Sequence, residues 1–538
     1  MPIITIDGKQ IEVEKGATVI QAAERLGINL PRYCYHPGLS IVGQCRICLV
    51  EIEKMPKLQV ACYTPVTDGM VVHTQSPKSV RGRKDVLELL LVNHPLDCPV
   101  CDQAGECFLQ DYYMKIGQYD SKMVEDKNKK NKALDIGPHV MLDSERCILC
   151  TRCVRFCNEV SKSYELGIFN RGDHAELLPY PDRRLDNNYS VNTVDICPVG
   201  ALTEKDFRFE ARVWYLQQTD SVCPGCSTGC NISVHTNTVR DHHADGRRVV
   251  RLKPRYNPDV NKWWMCDFGR YSYQPVDDPS RITASMLKDA KGGWIETSWE
   301  VAIETAADKI KKALPIKKSA QVGIWASPQM TNEDLFVLRQ FTQKLGIKQI
   351  ATTIAPKEKP ISDNYLIKED KNPNTRGAAA LEYNLDMEAS RGIYRLAFDS
   401  QLAVLIIFHH DLAAGFDPKH LATALGNVPT IIFIGPNRNA TSELAHILLP
   451  AASWPEKDGT FTNFAGRVQR FHKAIEPLGD ARPEWQIIKR LGKELGVSTP
   501  YLDAADVFAA IGQTVPAFAG LNYEAVGSNG AILQEVTS

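Results

Sequence analysis

Residues 144–157 read SERCILCTRCVRFC, in which Cys147, Cys150 and Cys153 recur as C-x2-C-x2-C. Three thiolates at that interval wrap around one four-iron cube, a spacing that zinc sites seldom use. The fourth ligand of the set is Cys197, placed before a proline in DICPVG. Cys157 closes the run, yet no second C-x2-C-x2-C stands beside Cys197 for it to serve. It is expected to be a buried free thiol.

Three further groups surround this one. Cys34, Cys45, Cys48 and Cys62 are spaced C-x10-C-x2-C-x13-C, with the close pair in GQCRICLVE. A close pair with two remote partners suits a two-iron cluster, and a four-cysteine zinc knot is the competing assignment. HPLDCPVCDQAGEC, residues 94–107, supplies His94, Cys98, Cys101 and Cys107. Its spacing fits a Cys3His zinc site as well as a cluster, and does not by itself name the metal. SVCPGCSTGC gives Cys223, Cys226 and Cys230, with Cys266 in WWMCDFGR, again three close ligands and one remote. The four sets together use every cysteine except Cys157.

The rest of the composition is ordinary. A chain of 538 residues is long enough for several domains with their own cores. Its 63 basic residues nearly cancel 64 acidic ones, which argues against nucleic acid as a partner. No secretory succession opens MPIITIDGKQ, and apolar runs such as LAVLIIF are far shorter than the ~20 residues that span a bilayer. A cytosolic setting makes grouped thiols metal ligands rather than disulfides.

Hydrophobic patterning places the motifs. ITIDGKQIEV predicts a β-hairpin turning at Asp7-Gly8, followed by a helix with a capping box at Thr18 and Gln21 and an end at Gly27. RKDVLELLLVNHP predicts a helix in which Val86, Leu89 and Leu90 share a face and Pro95 turns the chain out, so that His94 lies at a helix exit. The polar stretch 120–139 reads as a solvated connection rather than a docking patch. After about Pro275 strands and helices alternate. WEVAIETAADKIKKAL, with a cap at Thr297 and Glu300, NEDLFVLRQFTQKLG, capped by Thr331 and ended by Gly346, and KHLATALG alternate with QVGIW, LAVLIIF and TIIFIG. That alternation predicts a parallel sheet covered by helices. GTFTNFAGR, with Gly459 and Gly466, matches no phosphate-cradle spacing and reads as a structural loop, and no G-x-G-x-x-G follows a strand. NAD and flavin are therefore expected on a partner.

The ordered series GQCRICLVE, NHPLDCPVCDQAGEC, CILCTRCVRFC, DICPVGAL and VCPGCSTGC resembles the large iron–sulfur G subunit of NADH:quinone oxidoreductase, respiratory complex I. The second half is similar to the molybdopterin-oxidoreductase fold in RITASMLKDAKGGWIETSWEVAI, DKNPNTRGA and WPEKDGTFTNFAGRVQ, in a shortened form. The resemblance implies a multidomain α+β and α/β chain: ferredoxin-like iron–sulfur domains followed by a degenerate molybdopterin-oxidoreductase-like α/β domain. The expected divisions are a two-iron domain at 1–78, a His/Cys3 four-iron domain at 79–119, a four-iron ferredoxin-like domain at 139–218, a further four-iron domain at 219–275 and the α/β domain at 276–538.

The ligand sets implied are 2Fe-2S on Cys34, Cys45, Cys48 and Cys62, and 4Fe-4S on His94, Cys98, Cys101 and Cys107, on Cys147, Cys150, Cys153 and Cys197, and on Cys223, Cys226, Cys230 and Cys266. The last lies off the main electron route in the family. No cysteine follows Cys266, so the commonest protein ligand to molybdenum is missing and no molybdenum is expected. The function implied is relay of electrons from a flavin-bearing NADH-oxidising subunit toward quinone-side iron–sulfur subunits, coupled through membrane subunits to ion translocation. No substrate site is expected on this chain, which would sit peripherally on the cytoplasmic side of the inner membrane. The alternatives are a diaphorase-linked subunit of a soluble hydrogenase or formate dehydrogenase, an independent molybdenum enzyme, and a zinc-stabilised scaffold. Arg46 and Arg152, set between ligands, are read as exposed charges, with cluster tuning or packing as the other reading.

Overall fold

A computed structural model describes residues 1–237, 239–314 and 321–535. The chain forms two units, Met1–Leu216 with His243–Asp245, and Gln217–His242 with Gly246–Ser538.

The first unit begins with the expected hairpin. Ile3–Ile6 pairs antiparallel with Lys9–Glu12, and Asp7 and Gly8 both take positive φ, as a tight two-residue hairpin turn requires. Val71–His73 adds parallel to Ile3–Ile6, then Leu49–Ile52 and Gln59–Val60 complete a five-stranded sheet. The helix Val19–Arg25 packs Val19, Ile20, Ala22 and Ala23 onto the face carrying Ile4, Ile6, Val50 and Val72. Its capping box is present, with Thr18 N–H donating to Gln21 Oε1 at 2.9 Å.

Helix Pro77–Leu91 starts earlier than the sequence pattern suggests, because Ser76 caps it and Pro77 suits a first helical position. Its buried anchor is Leu87, 1 % exposed, with Val86 and Leu90 beside it; Leu89 is 73 % exposed and does not share that face. Arg83 fixes the helix to the sheet by donating to the Leu49 and Thr74 carbonyls. The remainder of the unit holds helix Phe108–Ile116, the three-stranded sheet of Leu134–Asp135, Val140–Leu142 and Leu202–Glu204, helix Arg152–Glu159, and the hairpin Leu166–Phe169/Glu176–Pro179.

The second unit opens with an antiparallel meander, Gln217–Val222, Asn231–Thr236 and Val249–Pro254. Its main body is a seven-stranded mixed sheet. Five strands run parallel in the order Gln349–Ala351, Val322–Trp325, Val404–Phe408, Thr430–Gly435, Ile447–Pro450, and Ser285–Lys288 and Trp294–Thr297 extend it antiparallel. Both faces are buried, as the continuous apolar runs demand. Val404, Ile406 and Phe408 point into a core with helices Trp299–Ala313, Asn332–Leu345 and Glu484–Glu494; Leu405 and Ile407 point into a second core with Met387–Phe398 and Pro418–Gly426.

Two local expectations change. Ser298, not Thr297, caps helix Trp299–Ala313 by accepting from Val301 N–H, because Thr297 is still in the preceding strand. GTFTNFAGR is a hairpin, Gly459–Thr462 with Arg467–Phe471, turning at Gly466 with φ +77°. Among the described residues, no helix is long and apolar enough to cross a membrane.

Candidate metal centres

The first set converges in a chain of sulfur contacts. Cys45 and Cys48 frame the turn before strand Leu49–Ile52, and Arg46 between them takes φ +59°, which reverses the chain between two ligands. The Cys34 N–H lies 3.4 Å from Cys45 Sγ. Hydrogen bonds from Cys45 and Cys62 pull the Cys34 thiol well below its ordinary range, and Cys62 does the same to Cys48, while Cys45 and Cys62 are pushed up. All four side chains are thereby brought together.

The second set hangs from a helix end. Helix Pro77–Leu91 stops three residues before His94, with Val92 as its C-cap, and Lys127 donates to the terminal Leu91 and Val92 carbonyls at 2.8 Å each. Asp97 is clamped by Arg146 Nε and Nη2 at 3.1 and 2.6 Å, and by Lys132 at 3.1 Å. Lys127 and Lys132 thus clamp this loop and the helix end before it, while Lys129 is exposed as a solvated charge. His94, Cys98 and Cys107 line one largely apolar cavity of about 550 Å³. Burial lowers the His94 pKa to about 4, so its imidazole is neutral, the form that ligates metals. Cys101 does not line that cavity. Its sulfur lies against Gly200, where a Cβ would approach to 2.4 Å.

Cys147, Cys150, Cys153 and Cys197 all line a single small apolar cavity. The turn between them is built from two left-handed residues, Leu149 and Thr151 at φ +54° and +62°, and the Leu149 N–H lies 3.4 Å from Cys147 Sγ. Burial raises every thiol of this set, Cys147 to about 12 and Cys150 to about 11. Such thiols ionise readily only beside a cation, and a ligated metal core supplies one. Cys157 is fully buried and, as a thiol raised to about 12 by burial, stays neutral.

In the second unit, Cys223 and Cys230 close a loop through Cys223 N–H to the Cys230 carbonyl at 2.9 Å. Cys266 caps the turn Asp267–Arg270, and Gly269 N–H lies 3.3 Å from its sulfur. A Cβ on Gly269 would come within 2.8 Å of Cys223 Sγ and 3.5 Å of Cys266 Sγ, so the absence of a side chain there leaves the sulfurs free to face each other. Burial raises Cys223, Cys230 and Cys266. The Cys226 loop is held by Ser227 N–H to Asp370 O at 2.9 Å and Thr228 Oγ1 to Leu366 O at 2.5 Å. Among the described residues no three His, Cys, Asp or Glu side chains are arranged to hold a single metal ion. In a four-iron cluster each ligand binds its own iron, and in a two-iron cluster each iron takes two of the four ligands.

Several residues around these sets escaped sequence reasoning. Arg152 is 4 % exposed rather than solvated, and Arg155, not singled out from the sequence, is 7 % exposed; Arg46 is exposed as expected. Arg152 donates to the Ile196 and Tyr35 carbonyls at 3.0 and 2.5 Å. The only sequence signal for the pair is position: both charges lie on the ligand-bearing helix between Cys150 and Cys157. One apolar core contains Tyr33, Cys34, Cys107, Cys150 and Val199, with Cys45, Cys147 and Cys197 packed against it. Ligands of the first three sets therefore share one core.

The parallel sheet of the second unit places Val322–Trp325 beside Val404–Phe408, with the following strands on opposite sides, and a ligand crevice is expected at the carboxyl ends of that pair. His410 closes it, its Nε2 lying 2.9 Å from Ala326 O and 3.2 Å from Thr352 O. The first turn of helix Asn332–Leu345 carries the buried carboxylates Glu333, which accepts from Thr460 N–H and the Tyr523 hydroxyl, and Asp334, which accepts from Lys457.

Family models match along nearly the whole chain. They are a 2Fe-2S iron-sulfur cluster binding domain at 3–77, an NADH-ubiquinone oxidoreductase-G iron-sulfur binding region at 83–122, and an NADH-quinone oxidoreductase subunit 3 ferredoxin-like domain at 137–203. A molybdopterin oxidoreductase Fe4S4 domain follows at 216–278, then molybdopterin oxidoreductase at 281–391 and 374–494. The donor sets of the first four fit iron–sulfur clusters.

The NADH-quinone oxidoreductase G subunit of Rickettsia felis is 31 % identical, over 96 % of this chain and 91 % of its own. The mitochondrial NADH-ubiquinone oxidoreductase 78 kDa subunit of Candida albicans is 31 % identical, over 95 % and 85 %. A solved structure of an NAD+-reducing [NiFe]-hydrogenase in the H2-reduced state is 32 % identical over 39 % of this chain and 91 % of that one, with a TM-score of 0.36. With two relatives matched nearly end to end at 31 % identity, the chain belongs to the family of NADH-quinone oxidoreductase G subunits, the iron–sulfur electron-transfer subunits of that enzyme.

Proposed function

We propose that this chain relays single electrons through a 2Fe-2S cluster on Cys34, Cys45, Cys48 and Cys62, and through 4Fe-4S clusters on the His94/Cys98/Cys101/Cys107 and Cys147/Cys150/Cys153/Cys197 sets. A further 4Fe-4S cluster is held by Cys223, Cys226, Cys230 and Cys266 of the second unit. The observation that carries this reading is the shared apolar core, in which Cys34, Cys107 and Cys150 are packed together. Iron–sulfur clusters, when bound, accept and release one electron at a time. The residues of the chain do the rest: thiolates and one imidazole fix the spacing, apolar packing excludes water, and the backbone N–H groups of Cys34 and Leu149, turned toward the Cys45 and Cys147 sulfurs, favour the thiolate form.

In this reading electrons arrive from a flavin-bearing NADH-oxidising partner and leave toward quinone-side iron–sulfur subunits. Membrane subunits couple that flow to ion translocation, and the chain sits peripherally on the cytoplasmic face. The modules are 1–78, 79–119, 139–218, 219–275 and 276–538. Anaerobic isolation with iron and sulfide analysis and low-temperature EPR tests it. One two-iron and three four-iron signals are expected; fewer than two distinct reducible signals, or zinc in place of iron, would overturn it.

A further inference from the structure

Two guanidinium groups are buried at the junction of the first and third ligand sets, and neither has a carboxylate within ion-pair distance among the described residues. Arg155 donates through Nη2 to the carbonyls of Cys34 at 2.5 Å and Cys150 at 3.4 Å, one residue from each set. Its Nη1 donates to the Ser40 carbonyl, and its Nε reaches Thr151 Oγ1 at 3.3 Å. Arg152 donates to Tyr35 O, next to Cys34, and to Ile196 O, next to Cys197. It also stands 5.8 Å over the ring of Phe108, next to Cys107, and its buried Nε has no hydrogen-bond partner.

Carbonyl dipoles solvate a guanidinium but do not neutralise it, and a buried charge without a counter-ion is costly. The groups that these side chains bridge are metal ligands. A cluster ligated by four thiolates carries net negative charge, and that charge grows when an electron is added. We propose that Arg152 and Arg155 are the built-in counter-cations of the Cys34 and Cys147 centres, shared between them, and that they hold the reduction potentials of both up together. This rests on the ligand sets proposed above. Sharing has a specific consequence. A charge on the junction of two centres shifts both in the same direction, so it eases entry of an electron into the pair while changing the driving force between them much less. A cation touching one centre alone would alter that step instead.

EPR-monitored redox titration of the assembled oxidoreductase tests the assignment, with Arg152→Gln, Arg155→Gln and the two lysine replacements compared with the unaltered protein. Unaltered protein lacking the two-iron and the Cys147-set signals would sink the ligand assignment itself, a failure separate from the one at issue here. With both signals present, each glutamine replacement should lower the reduction equilibrium of both centres about tenfold, a fall of about 59 mV for one electron. The lysine replacements should stay near the original values. Midpoints unchanged in the glutamine variants with iron retained, or a shift at one centre only, overturn the proposal. If the glutamine variants lose iron, retention of iron and of the original midpoints by the lysine variants supports it. Lysine variants that lose iron as well, or whose midpoints fall as far, overturn it.

Discussion

Gly200 stands against Cys101, so that a methyl group on its α-carbon would lie 2.4 Å from the Cys101 sulfur and 3.1 Å from Gln103 Cβ. Gly200 follows Cys197 by three residues, so the loop of the third ligand set walls the second. Gly200→Ala has to push Cys101 aside, at a cost of about 1–3 kcal/mol for an overpacked site. Iron at the His94 set should fall while the two-iron signal persists, which metal analysis with EPR will read.

His94→Cys exchanges a neutral ligand for an anionic one in a cavity already lined by Cys98 and Cys107. The cluster should remain and become harder to reduce, its midpoint falling on the order of 100 mV. His94→Ala should lose the cluster. Redox titration of that one EPR signal distinguishes the outcomes.

Cys157 is fully buried but is offered no cavity shared with Cys147, Cys150, Cys153 and Cys197. Cys157→Ala should leave iron and sulfide content unchanged and lower stability by about 1 kcal/mol through the small void it leaves. Metal analysis and thermal unfolding check the two halves of that statement.

Lys457 lies buried between Asp334, at 2.9 Å, and Glu484, which also meets His409. Lys457→Met leaves two carboxylates buried together and should destabilise the second unit by about 3–5 kcal/mol. Burial works to raise the Glu484 pKa, yet Lys457 and His409 overcome it and hold it at about 2, below the ordinary 4.5. A depressed carboxyl contributes stability that is complete above its unfolded pKa and is lost as the pH falls through the folded value. The Glu484 contribution should therefore disappear between about pH 4.5 and pH 2. Unfolding midpoints of parent and Lys457→Met across that window should converge as the pH falls; curves that stay parallel would refute the role given to Lys457.

Much of this architecture was legible in the residues, for identifiable reasons. A hairpin with Asp7-Gly8 at its turn and a helix with Thr18 and Gln21 at its start are local devices, and their chemistry is complete within a few residues. The alternating strands of the second unit announced themselves by runs such as VLIIF, too apolar for a surface. What sequence spacing could not show was contact between distant loops. Nothing near Gly200 reveals that Cys101 lies over it, and nothing in CTRCVR tells a buried arginine from a solvated one. Leu89 failed for a related reason: helical spacing allows several faces, and only the partner surface decides that Leu87 is the one buried.

The support beneath Cys223, Cys226, Cys230 and Cys266 comes from Leu366, Asp370 and Asn463, all residues of the second unit. Asn463 Nδ2 donates to the Thr228 carbonyl from the turn of the hairpin Gly459–Thr462/Arg467–Phe471, so the loop and its scaffold belong to one piece of the fold. A lineage could erode these four cysteines, or replace the whole piece, without disturbing the packing that joins Cys34, Cys107 and Cys150.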